Sequence, residues 1–194
     1  MTAERIILIV VYLLFGAEWL FLSVPSTVSF DPKESRKNLR FWARGGVLLV
    51  ILIGFFAPLV WSVYPKAGEA LLLLDLPKGL RVMGTVPVAL GEVVVLLACK
   101  RLRDSSEELV TGGVFRLTRN PIVVSIYLRW VGVLLVLPSA VSLISLLVCV
   151  AYLHGRILRE ETNLRRWYGG KYEDYRRKVP RYLPFVSRSR ESVL

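Results

Sequence analysis

The polar residues able to do chemistry gather in the second half of the chain. Arg156 stands four residues before Glu160 and five before Glu161, and His154, the single histidine, lies just upstream. Earlier come Gly112-Gly113 and the triplet Arg119-Asn120-Pro121. A guanidinium grips a carboxylate through a bidentate fork and keeps its charge at any relevant pH, so Arg156 is the candidate to hold an acidic group. Glu160 or Glu161 can take an ammonium. Asn120, His154 or the backbone near the glycine pair can meet a carboxylate or the edge of a heterocycle, and Leu109, Val110, Phe115 and Ile122 can cover a flat ring. Each feature also has a plainer reading. A glycine pair is an ordinary turn, Arg156 and Glu160 at i, i+4 can form a solvated ion pair, and His154 can cap a helix or sit at an interface.

The elements that must position these residues are membrane helices. The chain has 194 residues, 54% of them hydrophobic, and a formal charge of +11. That combination predicts an all-α, multi-pass integral membrane protein rather than a soluble domain. Five spans follow from apolar length: 6–24, 45–63, 82–99, 122–137 and 139–153. The first lacks a basic leading segment and a small-residue cleavage site, so it reads as a retained span. The last two make about 32 residues, too long for one crossing of a core roughly 30 Å thick, and Pro138 interrupts them. A short helical hairpin is expected, with one kinked, tilted helix or a pair that does not fully cross as the alternatives. Cys99 and Cys149 fall in apolar runs without metal-ligand spacing and read as packing residues, and no metal site is expected.

Charge sets the orientation. Five Lys or Arg lie in residues 31–44, five in 100–120 and eleven after His154, so with five spans these segments share the cytoplasmic side. The basic excess therefore has a cause other than nucleic acid, for which no motif is present. Residues 64–79 are too short to span and are expected at the outer interface, with a lid or plain packing as the alternatives. A helix from Arg156 to about Trp167 should continue the fifth span, with Ile157, Leu164 and Tyr168 on one face; extended or turned chain should follow around Pro180 and Pro184. Trp167, Tyr168, Tyr172, Tyr175 and Tyr182 are expected as interfacial anchors. Residues 1–99 thus supply three helices and 100–194 a chemical region, within one structural domain.

Glu18, Glu92 and Arg129 lie inside spans one, three and four, each about 10 to 12 Å below the cytoplasmic face at 1.5 Å per residue. A charge there seeks a partner or a cavity. Arg129 is expected either to pair with Glu18 or Glu92 or to line a tunnel with them.

The polar pieces taken together resemble the isoprenylcysteine carboxyl methyltransferase family, which belongs with the phospholipid methyltransferases. They are Leu109 to Phe115, Arg119-Asn120-Pro121, Arg156 with Glu160-Glu161, Tyr168-Gly169 with Tyr172 and Tyr175, and Val179-Pro180 with Pro184. Order and spacing fit over residues 100–185; the first three spans match only in character. The resemblance implies a membrane enzyme using S-adenosylmethionine to methylate the C-terminal carboxylate of a prenylated cysteine. It places a cofactor cap on the cytoplasmic side, at the endoplasmic reticulum in a eukaryote and the cell membrane in a prokaryote. It implies cofactor contacts from Leu109, Val110, Gly113, Phe115, Asn120, Pro121, Ile122, Val123, His154, Glu160 and Glu161, with Arg156 facing the acceptor. Two positions depart from the pattern: Asn120 stands where the family has His, and Val123 where it has Tyr.

Partition gives a physical reason for such an enzyme to sit in a membrane, since a prenylated cysteine is lipid-soluble at one end and ionic at the other. No G-x-G-x-x-G segment is present for a Rossmann site. The rival readings are a lipid amine N-methyltransferase, an NADPH-dependent sterol or enone reductase, and a membrane assembly protein without catalysis.

Overall fold

The computed structural model describes residues 6, 9–10, 12–13, 38–64, 66, 73–104 and 109–182. Among them the regular elements are helices: α1 (Asn38–Val63), α2 (Lys78–Met83), α3 (Thr85–Asp104), α4 (Pro121–Val136), α5 (Ala140–Tyr168) and α6 (Gly170–Lys178), with one 3-10 turn at Gly113–Arg116. Two rods are long and apolar enough to cross a membrane, Lys78–Asp104 and Ala140–Tyr168. Leu49–Trp61 and Pro121–Val136 are shorter apolar stretches. Most of the first expected span lies outside the described residues.

Local chemistry sets the helix ends. Pro121 opens α4 at a position whose N–H would have no helical partner. At the far end Pro138 stops α4, and Ser139 caps α5 by accepting from the Ser142 amide at 3.1 Å. The turn expected between spans four and five is therefore present. Trp130 and Cys149, on either side of it, share one buried cluster with Val133, Val136 and Leu137. Yet the two legs touch each other much less than they touch other helices: α4 packs mainly on α3, and α5 mainly on α1.

Small residues explain that choice of partners. Lipid supplies no hydrophobic drive between helices, so the surfaces that approach most closely win. A Cβ on Gly132 would overlap the Gly84 carbonyl and Val88, and one on Gly84 would lie 2.8 Å from Leu135 Cβ. The α1–α5 contact works the same way. Gly54 leaves room for Ser145, whose hydroxyl donates to the Val50 carbonyl at 2.8 Å. Phe55 reaches from α1 to stack edge-on against Trp130 at 5.6 Å, so parts of the chain before and after residue 100 share one core.

Within the α3–α4 contact, Gly91 lets the Arg129 stem cross to Glu92. Arg129 Nη2 donates to Glu92 Oε2 at 2.9 Å, and Nε lies 2.9 Å from Oε1. Both residues are buried. The expected partner is thus found in Glu92, and Glu18 lies outside the described residues.

One expectation needs correction. Residues 78–79, assigned to an interfacial segment, form the first turn of α2, which continues into α3; the preceding chain is tied back by Arg81 to Asp75 at 2.6 Å and by the Leu73 amide to the Pro138 carbonyl at 2.8 Å. Helix α6 is an addition to the expected elements. Gly169 adopts φ +51°, a conformation open to glycine, and so ends α5 and redirects the chain into a second helix. Glu173 in its first turn and Arg176, Arg177 and Lys178 in its last complement the helix dipole.

Candidate active site

The segment before α4 and the segment after α5 meet in one polar layer. The Arg119 amide donates to the Pro180 carbonyl at 2.9 Å. Thr118 Oγ1 and Asn120 Nδ2 both donate to the Arg181 carbonyl, at 2.9 and 3.1 Å, and Tyr175 Oη donates to the Phe115 carbonyl at 2.7 Å. Beneath these bonds Tyr172, Tyr175 and Val179 form a small core against Leu109, Leu164 and Tyr168. Four of the pairings join residues some sixty positions apart, so the layer is tertiary structure and not a local turn.

At its centre is Glu161. Arg181 meets it with two hydrogen bonds, and Arg119 Nη1 lies 3.1 Å from Oε1 while also donating to Tyr172 Oη at 3.3 Å. Burial alone raises the Glu161 carboxyl, but the Arg181 hydrogen bonds and the Arg119, Arg181 and Arg165 charges outweigh it and hold the pKa below the usual value. Both oxygens are engaged within the protein. Of the two adjacent acids, Glu160 is the one that stays exposed.

Glu160 has the opposite electrostatics. Crowding by surrounding protein raises its carboxyl, Arg156 pulls it down, and Glu161 pushes it up. Arg156 is half-buried, and its Nη2 is buried without a hydrogen-bond partner among the described residues. A buried guanidinium N–H with nothing to donate to costs on the order of 1 to 3 kcal/mol, which a bound oxygen ligand would recover. One helical turn therefore carries an accessible acid and a cation short of an acceptor. His154, two residues before Arg156 on α5, makes a 2.8 Å hydrogen bond between Nδ1 and Tyr182 Oη.

The other expected ligand contacts separate into groups. Asn120, Val110, Ile122 and Val123 are half-buried beside the layer. Pro121 is fully buried as the first residue of α4, and Phe115 is buried with its carbonyl held by Tyr175. Leu109 packs on the tyrosine core. Gly113, at φ +61°, borders a different space, a groove of about 480 Å³ shared with the end of α3.

The family described as phospholipid methyltransferase matches residues 81–171, from the α2–α3 rod to the start of α6. A protein of Oryza sativa subsp. indica named "Probable protein-S-isoprenylcysteine O-methyltransferase" is 31% identical over 186 residues, covering 87% of this chain and 96% of its own. The Schizosaccharomyces pombe protein-S-isoprenylcysteine O-methyltransferase is 31% identical over 134 residues, 68% of this chain and 54% of its own. A Xenopus laevis protein of the same name is 31% identical over 121 residues, 55% and 41% respectively. The chain belongs to the protein-S-isoprenylcysteine O-methyltransferase family.

In this isoprenylcysteine methyltransferase homologue, several residues that hold the polar layer escape a reading of the sequence. Tyr172 and Tyr175, expected as interfacial anchors, are buried structural residues; burial raises both phenols, which therefore stay protonated near neutrality. Trp167 alone of that set is strongly exposed. Arg119 and Arg181 are the partners of Glu161. The spacing of Tyr172, Tyr175 and Val179 at i, i+3 and i+7 was the available signal for a buried helix face.

Proposed function

We propose that this protein is a membrane methyltransferase that transfers a methyl group from S-adenosylmethionine to the C-terminal carboxylate of a prenylated cysteine, or to a closely similar lipid-like acceptor. The observation that carries the reading is the pairing on α5 of Arg156, with a buried N–H that has no acceptor among the described residues, and exposed Glu160 one turn away. Those two groups fit the ends of the reaction: an acceptor carboxylate and a donor ammonium.

Glu160 would take the cofactor ammonium. His154, Asn120 and backbone near Leu109 and Val110 would meet its remaining polar edges, with Val110, Ile122 and Val123 against the adenine. Glu161 would support this site by holding the layer together. When bound, S-adenosylmethionine supplies an electrophilic methyl on sulfur. Arg156 would grip the acceptor carboxylate through its fork and fix the attacking oxygen. A terminal carboxyl has a pKa of about 3.3 to 3.7 and is already ionised near neutrality, so no residue need act as base. Rate then comes from orientation and from exclusion of water by the polar layer. A carboxylate acceptor also suits Asn120, which cannot accept a proton as the family's His could.

This reading places five helices across the membrane, with the polar layer as a cytoplasmic cap and the prenyl chain held between helices. The membrane orientation is supported by the basic segments at residues 31–44, 100–120 and 156–190. The test is transfer of labelled methyl from S-adenosylmethionine to a panel of prenylcysteine analogues and lipid amines. Esterification of the prenylcysteine is expected, with Arg156→Ala raising the KM for the acceptor and Glu160→Ala weakening cofactor binding. Methylation confined to the amines, or no transfer with intact folding, would defeat the proposal.

A further inference from the structure

The groove beside Gly113 lies apart from Arg156 and Glu160. It is lined by Leu97, Lys100, Arg101, Asp104, Val114 and Leu117, together with Gly113. Arg101 rests against the glycine turn: a Cβ on Gly112 would stand 2.8 Å from its Nη2. Neither Lys100 nor Arg101 has an ion pair among the described residues, and Asp104 is the one acid in the lining.

The surface leading to this groove is apolar and continuous. Val86, Leu90, Val93 and Leu97 follow at spacings of four, three and four along α3, and all are exposed. Helical periodicity puts them in one stripe, and Lys100 and Arg101 are the next residues on it. From Val86 to Leu97 the stripe runs about 17 Å at 1.5 Å per residue, close to the depth of one leaflet's hydrocarbon, half of roughly 30 Å. Exposed Leu117 flanks its charged end. The sequence of chemistries, an apolar track one leaflet long ending beside a recess in two cations that have no ion pair among the described residues, is that of a lipid with an anionic head.

We propose that this groove binds the headgroup of an anionic phospholipid from the adjoining leaflet, its phosphate against Lys100 and Arg101 and an acyl chain along the α3 stripe. Such a lipid would hold the Gly112-Gly113 turn against the end of α3 by bridging Arg101. The placement depends on α3 being a membrane span, and not on the identity of the methyl acceptor.

The full chain, purified in mild neutral detergent, can be titrated with phosphatidylglycerol and phosphatidylcholine and the retained lipid counted by native mass spectrometry. Phosphatidylglycerol should be preferred by roughly tenfold, since each basic group near a membrane surface gives a several-fold gain. Lys100→Gln/Arg101→Gln should reduce the preference to about twofold or less, and Lys100→Gln alone, at an exposed side chain, should give an intermediate value. Arg166→Gln should leave the wild-type preference in place, and melting in detergent shows that each variant is folded. No preference in the wild type, or full preference in the folded double variant, would overturn the proposal. Displacement of the lipid by a prenylcysteine analogue or by S-adenosylmethionine would overturn it too, assigning the groove to the reaction.

Discussion

Arg181 and Glu161 face each other in a two-bond fork, Nε to Oε1 at 2.9 Å and Nη2 to Oε2 at 2.8 Å, joining the chain after α6 to the last third of α5. The same Arg181 offers its carbonyl to Thr118 and Asn120. One residue thus links three segments, and Glu161 is the charge that holds it. Removing that charge leaves Arg119 and Arg181 crowded without a counter-ion. Glu161→Gln should therefore cost roughly 3 kcal/mol of stability, read by thermal unfolding in detergent. Amides of residues 170–182 should exchange faster by hydrogen–deuterium exchange, while those of the α3–α4 contact stay protected. Arg181→Lys should fall between, because an ammonium cannot reproduce the fork.

The two adjacent glutamates should respond to acid in opposite senses. Glu161 has a depressed pKa in the folded protein, so its stabilisation is complete above the ordinary value of about 4.3 and is lost as pH falls through the folded value. Glu160 has a raised pKa, so the folded state holds its proton more firmly, and its contribution to stability grows as pH falls. Ammonium capture needs Glu160 ionised. Cofactor affinity measured by calorimetry should therefore begin to fall at a pH above the ordinary glutamate range, before the polar layer loosens. In Glu160→Gln the affinity should be weak and flat across that range; a wild-type affinity with no such fall would remove Glu160 from the ammonium site.

What the sequence made legible follows from the physics of each region. Apolar length located α1 and α4, and the i, i+7, i+11 spacing of Ile157, Leu164 and Tyr168 foretold the long run of α5, because lipid and helix periodicity act on every residue. Arg156 and Glu160 share one turn for the same reason. Pairing preferences were harder to read, since Gly54, Gly84 and Gly132 look like weak points in a helix until the neighbouring backbone is placed against them. The roles of Glu160 and Glu161 could not be separated by type or spacing. Only the arrival of Arg181, twenty residues on, engages one and leaves the other exposed. Helix α6 was hidden because its sequence is almost wholly polar, and its stability comes from Tyr172 and Tyr175 docking on a distant segment.

The Glu92–Arg129 pair makes a separate prediction about folding. Arg129→Met should leave Glu92 buried among apolar helices and cost about 3 to 5 kcal/mol, seen as a fall in melting temperature and in yield of monodisperse protein. Replacing both residues, as Glu92→Leu/Arg129→Met, removes the desolvation cost along with the attraction and should recover most of that loss. A double variant as unstable as the single one would mean that the pair fixes helix register, and not only neutralises charge.

Asn120 shows how a departure from the family pattern can preserve a structural bond. Its Nδ2 donates to the Arg181 carbonyl at 3.1 Å, and its amide nitrogen donates to Thr118 Oγ1 at 3.2 Å. A neutral histidine carries one ring N–H and can make the same donation to a carbonyl. If that bond is the function of the position, Asn120→His should keep methyl transfer within a few-fold of the wild type. Asn120→Leu keeps the bulk and loses the donor, which should cost about 1 kcal/mol in stability and raise the KM for the cofactor. The pH–rate profiles separate this from acid–base chemistry: Asn120→His should add no catalytic limb near an imidazole pKa of about 6.5. A new limb there, with a higher plateau than the wild type, would show that the family's histidine moves a proton.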